Sequence, residues 1–293
     1  MSFSITESFV AQYSSAVDTL VQQGGSRLMS AVTVDSGVVG KRAYYDRVGL
    51  VEANVITNRH GDSPLDEAPH SRRAVDMADY EIGNLVDKMD QIKTLIDPSN
   101  EYVQAAGFGL GRAIDDVIIA AALGTALTGE LGAGTATMPA GQVVEEDFGT
   151  TGSNLTLAKL IEARRILHAN EAINDNEPVY FIYGSSQLAA LLNIGAIQSI
   201  DSNTVRALVG GELASFMGFN FIRSERLTLT GEDRSCLCFP QSAIKLAVGM
   251  DVTHRIAERA DKRFSVYVYS AMSVGAVRMQ EEKVVEVQYD EVP

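Results

Sequence analysis

The chain has few cysteines and histidines, the residues that form disulfides and that often bind metal ions or take part in catalysis. Its 293 residues contain two cysteines and four histidines. Cys236 and Cys238 lie one residue apart in the segment SCLCF, without a second cysteine pair or a histidine nearby. We therefore interpret them as buried or half-buried reduced thiols rather than zinc ligands. The histidines show no ligand spacing either, so we expect no metal site and no cofactor.

Basic charge is also scarce. The chain has 24 lysines and arginines against 38 aspartates and glutamates, a formal net charge of −14. That sign opposes the attraction of nucleic acid by counterion release, so any contact with DNA should be local or imposed by geometry. The N-terminal MSFSITESF lacks a basic segment followed by an apolar core, and no apolar run reaches the ~18 residues of a membrane span. We expect a cytoplasmic product without a secretory signal.

Recognisable catalytic motifs are absent as well. GVVGKR at 37–42 lacks the four-residue gap of a phosphate loop, and YGSSQ at 183–187 lacks the second glycine of a nucleophile elbow. The glycines of GFGLG at 107–111 lie inside a helical pattern, which favours close helix packing over a dinucleotide loop. We assign no catalytic and no cofactor-binding residue. A soluble α/β enzyme with residues 154–250 as its catalytic domain is the alternative from another class.

The clearest feature that is present is one long apolar helix. Val103, Ala106, Leu110, Ile114 and Val117 recur at steps of three and four, which places them on one helical face. Pro98 and the capping residues after it predict where the helix begins. We predict a helix over about residues 100–127, roughly 40 Å long. The run VIIAAAL at 117–123 is apolar on every side, so other elements should cover it all round.

A charged group interrupts this helix. Arg112 lies three and four residues before Asp115 and Asp116, and we expect it to neutralise them within the helix. A metal or acid/base pair is the alternative interpretation. It is disfavoured because adjacent helical residues point ~100° apart and converge poorly on one ion.

The region before the helix is polar and extended. Apolar spacing over 5–22 predicts an amphipathic N-terminal arm, and 37–58 predicts a hairpin around Asp46 and Arg47. The following segment, 58–73, cannot build its own core, so the hairpin is either disordered or lies on another molecule. Its histidines and carboxylates could suggest a metal site, but we interpret them as solvated. Residues 74–96 are ambiguous between helix and strand.

The region after the helix reads as a compact mixed α/β unit over about 154–250. We predict a loop or edge hairpin in 129–154, helices over 155–169 and 185–193, and strands over 178–183, 218–224 and 236–239, the first of them central. Alternation in 263–288 predicts long strands that need partners from earlier in the chain.

Three segments in this order resemble the major capsid proteins of tailed bacteriophages, whose shared architecture is named for the phage Hong Kong 97. SNEYVQAAGFGLGRAIDDVIIAAALGT resembles their spine helix, GGELASFMGFNFIRSERL at 210–227 their axial-domain loop and strand, and SVGAVRMQEEKVVEV at 273–287 their closing strand. The order of parts matches over nearly the whole chain, whereas periodicity alone supports only a mixed α/β protein.

The resemblance implies an α+β fold of the Hong Kong 97 (HK97-like) type in four parts. These are an N-terminal arm at 1–36, an extended β-hairpin loop at 37–80, a peripheral domain at 81–150 plus 251–293 with the spine helix, and an axial domain at 151–250. The hairpin would pack across the spine helix of a neighbouring subunit. The charges we expect at such inter-subunit contacts are Lys41, Arg42, Asp46, Arg47, Arg59, Arg72, Arg73, Arg112, Asp115 and Asp116.

The implied function is that of a major capsid protein, a structural protein and not an enzyme. It would self-assemble as homo-hexamers and homo-pentamers into an icosahedral shell that encloses double-stranded DNA without sequence-specific binding, and would contact no membrane. Because the chain starts directly with the arm, the resemblance implies either a separate scaffolding protein, which we favour, or removal of a propeptide before Met1. It also implies a portal and, in some shells, a decoration protein. The location would be the virion, with assembly in the host cytoplasm. No crosslinking set of lysine, asparagine and acid is aligned.

A cellular encapsulin nanocompartment, whose shell has the same fold, is the alternative within this architecture. Neighbouring portal and terminase genes would indicate a phage, and a neighbouring cargo enzyme would indicate a compartment.

Overall fold

The structure is a computed structural model that describes residues 22–55, 59, 63, 65–86, 99–149, 154–174, 176–192, 215–230 and 233–290. The described helices are α1 (Ser99–Leu123), α2 (Leu157–Ala169) and α3 (Ser185–Leu192). None of the helices in these ranges is long and apolar enough to cross a membrane. The predicted amphipathic N-terminal arm at 5–22 lies outside the described residues, apart from Gln22.

The strands supply the rest of the mixed α+β fold that the sequence predicted. In chain order they are β1 (Thr33–Ser36), β2 (Arg42–Val48), β3 (His70–Asp76), β4 (Ala78–Val86), β5 (Ala126–Thr128), β6 (Gly134–Ala136), β7 (Val143–Val144), β8 (Val179–Tyr183), β9 (Ser215–Phe216), β10 (Phe219–Arg223), β11 (Leu229–Thr230), β12 (Asp233–Pro240), β13 (Ile244–Arg259), β14 (Ser265–Arg278) and β15 (Val285–Asp290).

The first sheet carries the long helix. Its strand order is β1-β13-β14-β4, with β1 parallel to β13 and the other pairs antiparallel. α1 packs on β14, β4 and β13, and its buried side chains Leu110, Ile114 and Ile118 join the main core. The face set by the apolar spacing of α1 is thus confirmed. The expected cover of 117–123 on every side is wrong for the single subunit, because Ala120 is exposed. β4 also settles the ambiguous segment 74–96 as strand as far as Val86.

The second sheet forms the α/β unit. Its order is β7-β15-β12-β8-β10-β9, with β11 paired to β12, and the predicted strand β8 is central and parallel to β10. α2 packs on β15 and β7, and its first turn is capped by Thr156, whose hydroxyl accepts from the Lys159 amide. The predicted helices and strands of this unit are confirmed.

The position of the closing strand, β15, differs from the position that the expected division of the chain gave it. β15 pairs with β12 on one side and with β7 on the other, so it completes the second sheet rather than the first. Residues 143–144 and 285–290, which were expected in the peripheral part, therefore lie in one sheet with β8, β10 and β12. β13 and β14 both lie in the sheet that packs on α1, and β13 crosses the expected boundary at 250.

The third sheet holds the predicted hairpin, with a correction. β2 pairs with β3 over seven residue pairs, from Arg42 with Asp76 to Val48 with His70. Asp46 and Arg47 therefore lie inside a strand and not at the turn of a hairpin within 37–58. β3 then pairs with β5 and β5 with β6. Only β6 of this pair lies in the range 129–154 where a loop or edge hairpin was predicted, because β5 takes up residues predicted as the end of the long helix.

The base of this hairpin also has a core that the sequence did not predict. Ala43, Tyr45 and Val75 pack with residues of β5, β13 and β14. The Tyr45 hydroxyl donates to Asp35, with 2.9 Å between the oxygens, and Lys245 lies over the Tyr45 ring at 4.4 Å. Burial and the neighbouring Asp35 raise the pKa of Tyr45. The hairpin is thus attached to its own subunit.

The long helix ends at Leu123, four residues before the predicted end near 127. Gly124 donates its amide to the Ala120 carbonyl at 2.8 Å, and a Cβ at Gly124 would lie 2.5 Å from that oxygen. Residues 126–128 then pair as β5. The apolar pattern continues through both elements, because the strand is buried too, so periodicity alone does not reveal the end of the helix.

Candidate assembly surface and its charged residues

The hairpin tip is the most apolar exposed part of the described chain. We define the tip as residues 49–69, of which 49–55, 59, 63 and 65–69 are described. Leu50, Val55 and Leu65 are 85%, 86% and 92% exposed. Glu52, Asp66 and Glu67 are exposed beside them. Large apolar side chains exposed to this extent within one short segment indicate a candidate interaction surface.

The predicted contact charges on the strands of the hairpin pair with each other. Arg42 makes a two-point ion pair with Asp76, with Nε and Oδ1 2.5 Å apart, and Arg72 makes one with Asp46. Each pair joins directly opposite residues of β2 and β3. The arginines hold the pKa values of Asp46 and Asp76 below their usual range, chiefly through hydrogen bonds. These charges are satisfied within one subunit.

Because the Asp46–Arg72 pair is exposed, we expect Asp46→Asn to lower the thermal midpoint of the subunit by less than about 2 °C, since exposed ion pairs contribute little. Differential scanning calorimetry at low and high salt measures this. A large loss at both salt concentrations would contradict the assignment.

A buried charge network lies at the base of the hairpin. Arg73, with a side chain only 2% exposed, makes a two-point ion pair with Glu281, and Arg47 donates to the Met279 carbonyl. Arg278, fully buried, donates to the carbonyls of Ala122 and Ala136, and its Nε lies 3.9 Å from Glu281. Burial lowers the pKa of Arg278 and Arg47. One carboxylate therefore faces two buried guanidinium groups at the junction of the hairpin, α1 and the segment after β14.

The charges of the long helix do not neutralise one another as predicted. Arg112 donates to the side chain of Gln22 and the carbonyl of Gln23, at 2.7 and 3.3 Å. Asp116 makes a two-point ion pair with Arg226. Asp115 is completely buried and accepts hydrogen bonds from the chain segment just before the first strand. The expected intrahelical network is wrong, because these partners come from distant segments.

The ten predicted contact charges are thus not brought into one cluster. Arg42, Asp46, Arg47, Arg72 and Arg73 lie in the hairpin strands, Arg112, Asp115 and Asp116 on α1, and Lys41 and Arg59 are exposed. Sequence reasoning missed Asp76, Glu281 and Arg226 as the partners of Arg42, Arg73 and Asp116, and it missed the buried Arg278 beside Glu281. Arg278 had one usable signal, since it continues the apolar alternation of β14 at a position that is buried.

The cysteines occupy the places predicted for them. Cys236 and Cys238 are free, completely buried and on β12. Burial raises the pKa of both thiols, which keeps them protonated and unreactive in the folded chain. Within the described ranges, no group of three or more histidine, cysteine, aspartate or glutamate side chains could hold a metal ion.

Comparison with known proteins gives a consistent answer over the full length. A family model described as "Phage capsid protein" matches residues 5–291. A search of curated protein sequences finds no significant match.

Solved capsid structures share the fold. The capsid of Ralstonia phage GP4 matches with a TM-score of 0.74 at 10% identity, covering 96% of this chain and 95% of that chain. Cyanophage Pam1 matches with 0.71 at 14% identity, covering 98% and 97%. Cyanophage P-SCSP1u matches with 0.70 at 16% identity, covering 97% and 93%. The similarity confirms the expected α+β capsid fold.

Proposed function

This chain belongs to the phage capsid protein family, and from that membership we propose that its copies assemble as hexamers and pentamers into an icosahedral shell around double-stranded DNA. The chain is a major capsid protein, a structural protein of the virion shell. The family match favours this role over the encapsulin nanocompartment and over an α/β enzyme with residues 154–250 as its catalytic domain.

The exposed hairpin tip is the observation that supports the assembly contact. A monomer in water gains nothing from presenting Leu50, Val55 and Leu65 at 85–92% exposure, whereas a second copy that covers them removes that apolar surface from water. We propose that the tip of one subunit lies across α1 of its neighbour. Tyr102, Gln104 and Ala120 are exposed on α1 and are available for this contact.

The charges available for inter-subunit pairing are fewer than the sequence suggested. Lys41 and Arg59 are exposed, and we propose these two as the basic contacts between subunits. The others have the partners within the subunit described above. The acidic Glu52, Asp66 and Glu67 of the tip supply charge of opposite sign.

The finer partners follow from the role of the shell. We propose that a separate scaffolding protein directs assembly in the host cytoplasm, that a portal occupies one vertex, and that a decoration protein is an optional addition. The net charge of −14 favours a shell that confines DNA without adhering to it. The four-part division of the chain stays our proposal, with 143–144 and 285–290 assigned to the axial part.

Electron microscopy of the purified or co-expressed full chain tests the assembly. We expect closed shells, rings or tubes. A strictly monomeric protein under all conditions, in light scattering as well as in images, would contradict the proposal.

The contact of the tip is tested by replacing exposed apolar side chains. We expect Leu50→Ser with Val55→Ser to fold normally and to reduce assembly at least about tenfold, because little in the monomer touches these side chains. Sedimentation velocity measures the assembled fraction. Ile161→Ser on α2, which removes a half-exposed apolar side chain from another surface, is the matched control and should retain assembly. Normal assembly of the tip variant would place the contact elsewhere.

A further inference from the structure

The chain segment that precedes β1 is pressed closely onto α1. Gly111 of α1 has no side chain, and a Cβ there would lie 2.5 Å from the carbonyl carbon of Gly25 and 2.6 Å from the amide nitrogen of Ser26. Gly25 itself has φ of +81°, a conformation that favours glycine. The backbone of this segment therefore meets the helix without intervening side chains.

Asp115, one helical turn further on, holds the same segment. Its Oδ1 accepts from the Ser26 hydroxyl at 2.6 Å and from the backbone amides of Arg27 and Leu28 at 3.1 Å each. Its Oδ2 accepts from the Gln23 side chain. Ser26 in turn accepts from the Met29 amide at 3.1 Å, which starts the turn Met29–Ala31.

This arrangement satisfies a buried carboxylate with neutral donors. A buried charge is costly unless hydrogen bonds compensate it, and a carboxylate that accepts several amide and hydroxyl donors is compensated. The same bonds satisfy amides that would otherwise be buried without a partner. The stabilisation is therefore mutual, and it exists only while residues 23–28 lie in this position on α1.

Two neighbouring contacts add to it. Arg112 donates to Gln22 and Gln23, and the Arg27 side chain donates to the Arg223 carbonyl at 3.0 Å. The segment is held from both sides, on α1 and on the end of β10.

We infer that Gly111 and Asp115 form an anchor that fixes residues 23–28 on α1, and that assembly depends on this anchor. The inference rests on the proposed function, because it makes formation of the shell depend on this segment. A segment released from the anchor would have to be ordered again when subunits meet, and assembly would then carry the entropic cost of ordering it.

The rate of limited proteolysis measures directly how firmly residues 23–28 are held on α1. Arg27 is the first lysine or arginine of the chain, so trypsin cleavage there releases 27 residues and leaves a fragment that begins at Leu28. We expect Asp115→Ala to raise the initial rate of this cleavage at least about tenfold, because cleavage requires local opening of the anchored segment. Asp116→Ala is the matched control, since its ion pair with Arg226 does not touch the segment, and it should stay within about twofold of the wild type.

Two further variants and one second readout separate an anchor from a general loss of stability. Gly111→Ala displaces the segment without altering the carboxylate and should raise cleavage in the same way, whereas Asp115→Asn keeps one acceptor oxygen and should give an intermediate rate. In each variant Cys236 and Cys238 should remain protected from a thiol reagent, because the core stays closed. Thiol exposure in step with cleavage, or failure of all three variants to fold, would overturn the inference.

Assembly of the same variants completes the test. We expect wild type and Asp116→Ala to form shells, and Asp115→Ala and Gly111→Ala to remain folded but assemble poorly. Normal shells from variants cleaved rapidly at Arg27 would overturn the inference and leave the proposed function standing. Failure of the wild type to assemble would instead reject the proposed function, while the cleavage rates still report on the anchor.

Discussion

Ile118→Asp will leave the chain without a stable folded state. Ile118 lies in the C-terminal third of α1 with no exposed surface, inside the main core. Losing its packing costs about 2–5 kcal/mol, and a carboxyl group without a hydrogen-bond partner costs several kcal/mol more. Since folded domains are stable by only about 5–15 kcal/mol, the sum removes most or all of the stability.

Circular dichroism and thiol reactivity measure this result. We expect no cooperative thermal transition and rapid labelling of Cys236 and Cys238, which are fully buried in the folded chain. Gln104→Asp adds the same carboxylate to an exposed position of the same helix and should melt cooperatively with protected thiols. A cooperative transition in Ile118→Asp would show that this side of α1 is not part of the core.

Glu281→Gln is expected to have the second largest effect, destabilising the subunit by about 3–5 kcal/mol. Glu281 is 13% exposed and faces Arg73 and Arg278, which are 2% and 0% exposed. Removing its charge takes away the carboxylate that both guanidinium groups face, and Arg278 keeps only the weaker attraction of Glu282. The Nε of Arg278 already lacks a hydrogen-bond partner, so this site has no spare acceptor.

Urea denaturation measures the loss as a lower midpoint with an unchanged slope. Glu282→Gln changes the exposed neighbour and should lie within about 0.5 kcal/mol of the wild type. Arg73→Met should cost less than Glu281→Gln, because Glu281 then still faces Arg278. The reverse order would show that Arg278 does not depend on this carboxylate.

The ion pair between Arg73 and Glu281 could not be predicted from the local sequence pattern. Arg73 and Glu281 are 208 residues apart, and neither has a distinctive neighbour in sequence. From the sequence we interpreted Arg73 as a surface charge of a projecting hairpin, yet its side chain is buried. Its burial depends on β3 pairing with β5 and on the segment after β14 reaching the same place, which no local signal reports.

Asp115 gives a second case. The helical spacing correctly placed Arg112, Asp115 and Asp116 on one helix. Arg112 and Asp115 bond to the N-terminal segment, however, and Asp116 pairs with Arg226 near β10. A charged side chain on a helix can form its hydrogen bonds and ion pairs within the helix or with another element. Which of these it does depends on which segments pack around it. In the structure the Asp115 carboxylate accepts its hydrogen bonds from residues 23–28 and not from Arg112.

The sequence by itself determined the elements in which apolar residues recur with a clear helical or strand period. The start of α1, helices α2 and α3, the central strand β8 and the long strand β14 follow from side-chain hydrophobicity at fixed spacing, which acts within a few residues. The order of these parts also sufficed for the resemblance to phage capsid proteins. Only the tertiary structure decided the end of α1, the sheet to which β15 belongs, the core under the hairpin and every partner of a buried charge. These depend on which distant segments meet, and a buried ion or amide selects its partner by proximity in space rather than along the chain.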